Sequence, residues 1–327
     1  MKKNIESFPN QILDSFSSLE KLRIIKKSIS SILIIGQGGS SIGGLLLRDL
    51  LIKEINYPIV INHGYKLPNW VSSKTLIIVS SYSGNTEEAL SVLKISLKKG
   101  FRPICISSGG ELLKICKKQK LDFFTLPEGF QPREALSYSV FSLFSVFLKY
   151  QVISNKNFLK LKKASIFVLN NQTKIINKAK TLSNVIHQKI PIIYSSNLFS
   201  GCVTRFKQQL NENSKNLSWF NIIPEMNHNE IVGWQNVNSD LKNNFLPVFI
   251  KSNLDLKKNQ QRIDLTLNYL KEQKIKTKVI NIEKGDIYSQ YLFLINLFDF
   301  TSFFLASKNN VNPYDIDSIL MLKSKLK

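Results

Sequence analysis

Apolar residues along the chain come in short runs that stop at glycine, asparagine or lysine. Ser31-Ile-Leu-Ile-Ile35 is uninterrupted and β-branched and ends at Gly36, which predicts a buried strand feeding a tight turn. Ser41 to Lys53 then has helical spacing, Ile59 to Asn62 reads as a second short strand, and Thr75 to Ser80 as another buried one. A polar loop leads into a helix from Thr86 to Lys99. There Leu90, Leu93 and Leu97 share a face, Glu87 and Glu88 occupy the first turn, and Gly100 supplies the stop. Strand Arg102 to Ser107, helix Glu111 to Lys120, strand Leu121 to Thr125 and helix Arg133 to Tyr150 continue the alternation. Such alternation implies an α/β fold, a parallel sheet with helices on both faces.

Ser154 to Lys189 is rich in Lys and Asn, helical in period and weakly apolar, which suits a connector. A second series follows: strand Ile190 to Tyr194, helix Phe199 to Lys215, strand Leu246 to Ile250, helix Lys257 to Lys271, strand Lys276 to Ile282 and helix Asp286 to Ala306. A last short helix runs from Asp315 to Leu326. The halves share an order of elements without evident sequence identity, as an internal duplication would leave them. The expected organisation is a helical arm (1–30), a first α/β domain (31–153), a helical connector (154–187) and a second α/β domain (188–327).

The length of 327 residues agrees with two domains, each large enough to bury a core without disulfides. With 43% hydrophobic and 10% aromatic residues the chain is globular in composition. Charge is the unusual feature. Lys+Arg 45 against Asp+Glu 23 leaves +22, a balance that invites a polyanion partner. The lysines, however, are scattered as doublets among Asn and Ile, with no block of five or six like charges. Drift of solvent-facing positions towards Lys and Asn explains this pattern better than a nucleic-acid footprint does. Cys105, Cys116 and Cys202 are odd in number and far apart, which excludes a disulfide framework or a zinc quartet and fits a reducing cytoplasm. The opening MKKNIESFPNQ has no apolar stretch behind its lysines, and no uncharged apolar run reaches about 18 residues, so neither a signal peptide nor a membrane span is expected.

Two loops can carry chemistry. Gly36-Gln-Gly-Gly-Ser-Ser-Ile-Gly-Gly44 joins a strand to a helix, so its N–H groups can face an anion. It is not a P-loop, since no Gly-Lys-Ser/Thr closes it. As a dinucleotide fingerprint it is poor, with Ser41 in place of the third glycine and Asn62 and His63 where an acid is expected. Ser80-Ser-Tyr-Ser-Gly-Asn-Thr-Glu-Glu88 is sharper. Hydroxyls of Ser81, Ser83 and Thr86, with the N–H groups of a helix start, can hold the three terminal oxygens of a phosphate without a lysine. The plain alternative is helix capping, which needs one hydroxyl and not three.

These residues resemble a known family. GQGGSSIGG, SYSGNTEE and QPREALSY look like a sugar isomerase (SIS) domain. In the second half, IPIIY from Ile190, RFKQQLNENSK from Arg205, PEMNHNE from Pro224 and the closing Asn312-Pro with Met321-Leu-Lys-Ser-Lys-Leu326 are similar to the bifunctional phosphoglucose/phosphomannose isomerases. The likeness runs in order from Ser31 to the C-terminus. It implies two SIS domains, each a Rossmann-like three-layer αβα sandwich. It also implies conversion of aldose 6-phosphates to fructose 6-phosphate, no metal or other cofactor, and a homodimer with sites between subunits. By motif, Gly39, Ser40, Ser81, Ser83 and Thr86 would bind the sugar phosphate, and Arg133 would lie near the reacting carbons. Glu212, His228 and Lys323 would move protons. Tyr314 departs from the threonine that often follows the family's closing proline, which puts acceptance of the mannose epimer in question.

The residue types suit that chemistry. One carboxylate can take a proton α to a carbonyl and return it to the neighbouring carbon. Arg205, Gln208, Glu212 and Lys215 are spaced as one polar helical stripe, opposite an apolar stripe of Val203, Phe206 and Leu210. The plain alternative for Glu212 is a solvated face with helix ion pairs. A near-neutral histidine suits ring opening, and His228 is not part of a zinc helix motif, because Val232 stands four residues on. His63 and His187 are expected to be structural. Arg133, after Pro132 at a helix start, can stabilise an enediolate oxygen, whereas Lys323 rests on the resemblance alone.

Three rival readings remain. A non-catalytic sugar-phosphate sensor would keep Ser81, Ser83 and Thr86 but has no need of Glu212 and His228 together. A glutamine-dependent aminosugar synthase would need an N-terminal Cys nucleophile, where this chain reads MKKN. Nucleic-acid binding would show a steep salt dependence.

Overall fold

Five short runs of the first half form one parallel sheet: β1 (Ser31–Ile35), β2 (Ile59–Asn62), β3 (Thr75–Ser80), β4 (Ile104–Ser107) and β5 (Phe123–Thr125), in the order β2-β1-β3-β4-β5. Every residue of β1, β3 and β4 is buried, as unbroken Ile/Leu/Val runs between two helical layers require. In this computed structural model, which describes residues 1–25 and 28–326, the chain divides into two units. The first, Ser7–Ser165, holds this sheet. The second comprises Ile166–Lys327 together with Met1–Glu6, the segment that carries helix α1 (Lys2–Glu6).

The first unit is completed by α2 (Phe8–Asp14), α3 (Gly39–Leu51), α4 (Glu87–Lys98), α5 (Gly110–Gln119), α6 (Leu136–Lys149) and most of α7 (Asn155–Asn170). Leu33, Ile35, Ile77 and Val79 of the sheet pack with Val92, Leu93, Leu112 and Cys116 of α4 and α5. From β1 the chain turns to β2 on one side, and from β3 to β4 on the other. The ends of β1 and β3 therefore flank the switch point where ligands bind in open α/β sheets. Helix α6 starts at Leu136, three residues later than the sequence pattern suggests. The Gln131 N–H donates to Glu134 Oε2 at 3.2 Å and the Glu134 N–H to the Gln131 carbonyl at 2.8 Å, so a closed turn precedes the helix.

The second unit contains α8 (Gln172–Ile186), β6 (Ile190–Ser196), α9 (Ser200–Ser214), β7 (Trp219–Ile223), α10 (Glu230–Gly233), α11 (Ser239–Asn244), β8 (Phe245–Ser252), α12 (Lys257–Glu272), β9 (Lys278–Ile282), α13 (Ile287–Lys308) and α14 (Asp317–Lys325). Its sheet is parallel, in the order β7-β6-β8-β9. Strand β7 has no counterpart in the sequence-based expectation. It is an edge strand, exposed at Trp219 and interrupted by Asn221, so its apolar signal is weak. Helix α13 is apolar on nearly every side and is buried at every position from Tyr288 to Ser302. It packs against α8 and α9, and it holds α1 where Asn296 Nδ2 donates to the Ile5 carbonyl at 2.9 Å. No described helix is long and apolar enough to cross a membrane.

The two sheets share one plan, β7, β6, β8 and β9 matching β2, β1, β3 and β4. The second lacks a partner for β5. Residues 108–135 build α5 and β5 between β4 and α6, whereas residues 283–286 carry β9 straight into α13.

Candidate active site

At the switch point of the first sheet, both glycine- and serine-rich loops are locked together. The Tyr82 N–H donates to Ser40 Oγ at 3.0 Å, joining the loop after β3 to the first turn of α3. Ser81 Oγ and Thr86 Oγ1 lie 2.8 Å apart, and the Gly84 N–H donates to Ser81 Oγ at 3.1 Å. Thr86 is the residue before α4, yet its hydroxyl does not cap the helix, and no side chain caps α3 either. Two helix starts without a side-chain cap thus lie at one end of the sheet beside three hydroxyls. Such a cradle of dipoles suits an anion without a lysine. Ser40 and Ser81 are buried, Thr86 is half-buried and Ser83 is exposed at the rim.

Backbone contact sets this shape. Gly84 has φ +68°, and a Cβ there would sit 1.9 Å from the Gly109 carbonyl oxygen, so the loop rests directly on the turn before α5. A Cβ on Gly39 would lie 2.9 Å from the Pro132 carbonyl oxygen and 3.1 Å from the Arg133 nitrogen. That approach brings Arg133 to the cradle. The residue lies in the turn before α6 and is 4% exposed. Gly39, Ser40, Ser81, Thr86 and Arg133 therefore belong to one place.

Tyr82, which the sequence did not single out, fixes the same loop from behind. Its hydroxyl donates to the Pro127 carbonyl at 2.8 Å and accepts from the Phe130 N–H at 2.9 Å, tying β3 to the segment that delivers Arg133. Burial raises the Tyr82 pKa, which keeps that hydroxyl a donor. Its signal was its place inside SYSGNTEE. His63 Nδ1 lies 3.0 Å from the Gly36 carbonyl oxygen, and His187 Nδ1 lies 3.0 Å from Asn309 Oδ1.

The other three residues lie in the second unit, on separate elements. Glu212 is half-buried near the end of α9. Arg205 does not share its solvent-facing stripe. It is buried, its Nε and Nη2 donating to Asp299 Oδ1 and Oδ2 at 3.0 and 2.7 Å, while Gln209 Nε2 donates to Asp299 Oδ1 at 3.0 Å. Asn213 Nδ2 adds a 3.0 Å bond to Ser302 Oγ. Arg205, Gln209 and Asn213, four residues apart, thus bolt α9 to α13 and leave Gln208 and Glu212 on the accessible side. A buried, bidentate Arg–Asp pair fixes register, and removing one partner strands the other charge.

His228 is exposed at the end of a short 3₁₀ turn (Glu225–His228) after β7, which a cis Ile223–Pro224 bond introduces. Asn227 Nδ2 donates to Thr266 Oγ1 at 2.8 Å on one side of it. On the other, Glu230 receives the Tyr194 hydroxyl and, at 2.7 Å, Asn221 Nδ2, while Trp234 Nε1 donates to the Tyr194 oxygen at 3.1 Å. Burial, and then the Glu230 carboxylate, raise the Tyr194 pKa, so the phenol stays a donor. Lys323 is exposed on α14, none of whose residues is buried. Lys215 links two of these elements. Its Nζ donates to the carbonyls of Glu212 (3.0 Å), Asn312 (2.6 Å) and Asp315 (2.8 Å), holding the end of α9 to the segment that launches α14.

Comparison with known proteins places this arrangement. Residues 175–326 match the family described as the bacterial phospho-glucose isomerase C-terminal SIS domain. A bifunctional phosphoglucose/phosphomannose isomerase of Caldicellulosiruptor bescii is 34% identical, covering 100% of this chain and 98% of that protein. A D-glucosamine-6-phosphate 4-epimerase of Sulfolobus acidocaldarius is 35% identical over 63% of this chain and 64% of that protein. Among solved structures, the C-terminal domain of glucosamine-fructose-6-phosphate aminotransferase from Francisella tularensis superposes with a TM-score of 0.74 at 15% identity, covering 95% of this chain and 97% of that one, a likeness of fold. With its two parallel-sheet domains and that full-length identity, the chain belongs to the bifunctional phosphoglucose/phosphomannose isomerase family.

Proposed function

We propose that this protein is an aldose–ketose isomerase that interconverts glucose 6-phosphate, and mannose 6-phosphate, with fructose 6-phosphate through an enediol. The observation that carries the reading is the cradle at the first switch point. It offers hydroxyls and the start of α4, which no side chain caps, for a phosphate, with the buried Arg133 alongside.

Ser81, Ser83 and Thr86 hold the phosphate with Gly39 and Ser40. His228 and Lys323 open the sugar ring by moving the proton between O1 and the ring oxygen. Glu212 takes the C2 proton of the aldose and returns it to C1, so that atoms and electrons balance without an oxidant. The Arg133 guanidinium stabilises the oxygen on which negative charge develops, an effect worth roughly 3 kcal/mol for one well-aimed donor. Residues 31–153 serve as the phosphate-binding SIS domain and residues 188–327 as the domain that supplies proton transfer, with 154–187 between them.

The working form is a homodimer in the cytoplasm. Ile319, Leu320, Met321 and Leu322 of α14 are each at least 39% exposed, which supports a second copy covering the helix that bears Lys323. A coupled assay on purified protein with glucose 6-phosphate and with mannose 6-phosphate, run with and without chelator, tests the reading. Turnover of at least the glucose epimer in both conditions is expected, and absence of turnover with tight fructose 6-phosphate binding would instead identify a sensor.

A further inference from the structure

The place where a fifth strand would complete the second sheet is an open groove. Strand β9 pairs with β8 on one side only. Along its other edge, Lys278, Val279, Ile280 and Asn281 face helix α8 across a space of about 770 Å³ floored by Leu182 and Leu297. On the α8 side the groove runs from Thr173 to Leu182, nine helical rises or about 14 Å. That matches the length of about four residues of extended chain. In the first sheet this position is filled by β5.

The rim has one sign of charge. Lys174 and Lys178 on α8 and Lys278 on β9 line the groove, and among the described residues no acid lines it and none of the three lysines forms an ion pair. Glu283 lines the adjoining recess with Lys174, Lys178 and Lys284, and its charge partly offsets the lysine field felt by Lys178. Lys178 extends over the Phe293 ring, 5.7 Å from its centroid, and burial with the neighbouring Lys174 and Lys278 charges lowers its pKa. Lysines that merely guard an edge against aggregation sit on the strand itself. Here two of the three stand on the opposite wall, where they overhang whatever lies beside β9.

We propose that the groove between α8 and β9 is a docking site for an acidic peptide segment of a partner protein, which adds to the second sheet as its missing outer strand. Backbone pairing along β9 supplies affinity, the Leu182–Leu297 floor takes alternate apolar side chains, and the lysine rim selects carboxylates on the others. A second copy of this chain is disfavoured as occupant here, because pairing β9 with itself would bring the same lysines together.

Fluorescence polarisation with a labelled, end-blocked hexapeptide of alternating Val and Glu tests this. Saturable binding is expected, and the Val/Lys peptide and a Lys174→Glu/Lys178→Glu variant should each bind at least about tenfold more weakly. An added strand uses alternate amides. Two peptides N-methylated in opposite registers should therefore differ, one binding and the other not. Isomerase turnover of the variant with glucose 6-phosphate should be unchanged. No saturable binding, equal binding of both methylated peptides, or full displacement by inorganic tripolyphosphate would overturn the proposal, the last by revealing a small-anion site. None of these outcomes depends on the isomerase reading.

Discussion

The switch points of the two sheets are built alike and finished differently. In the first, the loops after β1 and β3 are joined through the hydroxyls of Ser40, Ser81 and Thr86, and neither helix that follows has a side-chain cap. In the second, the corresponding ends of β6 and β8 are bridged by a carboxylate of the protein itself. Asp255 accepts from Ser196 Oγ at 2.5 Å and from the Ser252 N–H at 2.8 Å, and Ser252 Oγ donates to Gln290 Oε1 at 2.5 Å. The second sheet places a carboxylate of its own where the first has only hydroxyls and helix starts. A shared strand order therefore does not confer a shared switch point, and the function proposed above divides the work accordingly, with the phosphate held by the first unit and proton transfer assigned to the second.

The sharpest way to break that division is Glu212→Gln. Turnover should fall by at least about 10² while fructose 6-phosphate affinity is retained, as steady-state kinetics with an inhibition assay would show. Normal turnover in that variant would remove Glu212 from the chemistry. Gly84→Ala attacks the first unit through its backbone. A side chain against Gly109 cannot be accommodated at positive φ, and a loss of roughly 3 kcal/mol or more is expected in urea melts, together with loss of sugar-phosphate binding. The Ser81→Ala/Thr86→Ala pair should raise KM about tenfold or more with kcat little changed, which is the opposite split from Glu212→Gln.

Asp255 tests the second switch point through pH. Burial raises its pKa above 3.8, more than the Ser196 hydroxyl and the Ser252 N–H lower it. Between the unfolded and folded values the native state binds the extra proton, so this group's contribution is present below pH 3.8 and is lost as pH rises through its folded value. Asp255→Asn should flatten the fall in Tm above pH 4, measured by calorimetry. The smallest effect is expected from Tyr314→Thr, a change of a few-fold in the mannose-to-glucose turnover ratio. Equal ratios in the two proteins would take Tyr314 out of epimer choice.

Much of this was legible in the sequence where the signal is local. Strands β1, β2 and β3 lie where their Ile/Leu/Val runs put them, and SYSGNTEE announces the cradle because all its hydroxyls sit within six residues. Spacing alone sets Arg205 in one polar stripe with Glu212, because its partner, Asp299, is 94 positions away on a helix whose apolar pattern hides a buried acid. Strand β7 was invisible for the opposite reason. An edge strand needs little apolar character, so nothing marked Trp219–Ile223 as the element that launches His228. The role of Lys215 was equally beyond reach, since a lysine that collects three backbone carbonyls looks in sequence like any other in so basic a chain.

The docking of α1 on α13 has a consequence for how the protein is made. The Ile5 carbonyl waits for an amide 291 positions downstream, and Gln172 Nε2 reaches the Glu6 carbonyl at 2.6 Å. At ribosomal speeds of about 5–20 residues per second, that interval is roughly 15–60 s. Within it, Ser7–Ser165 can fold as soon as it emerges, while Met1–Glu6 still lacks its contact with α13. Nascent chains arrested before Asn296 should therefore expose residues 1–6 to protease while protecting the first sheet, so that a segment made before the first sheet is among the last to find its place.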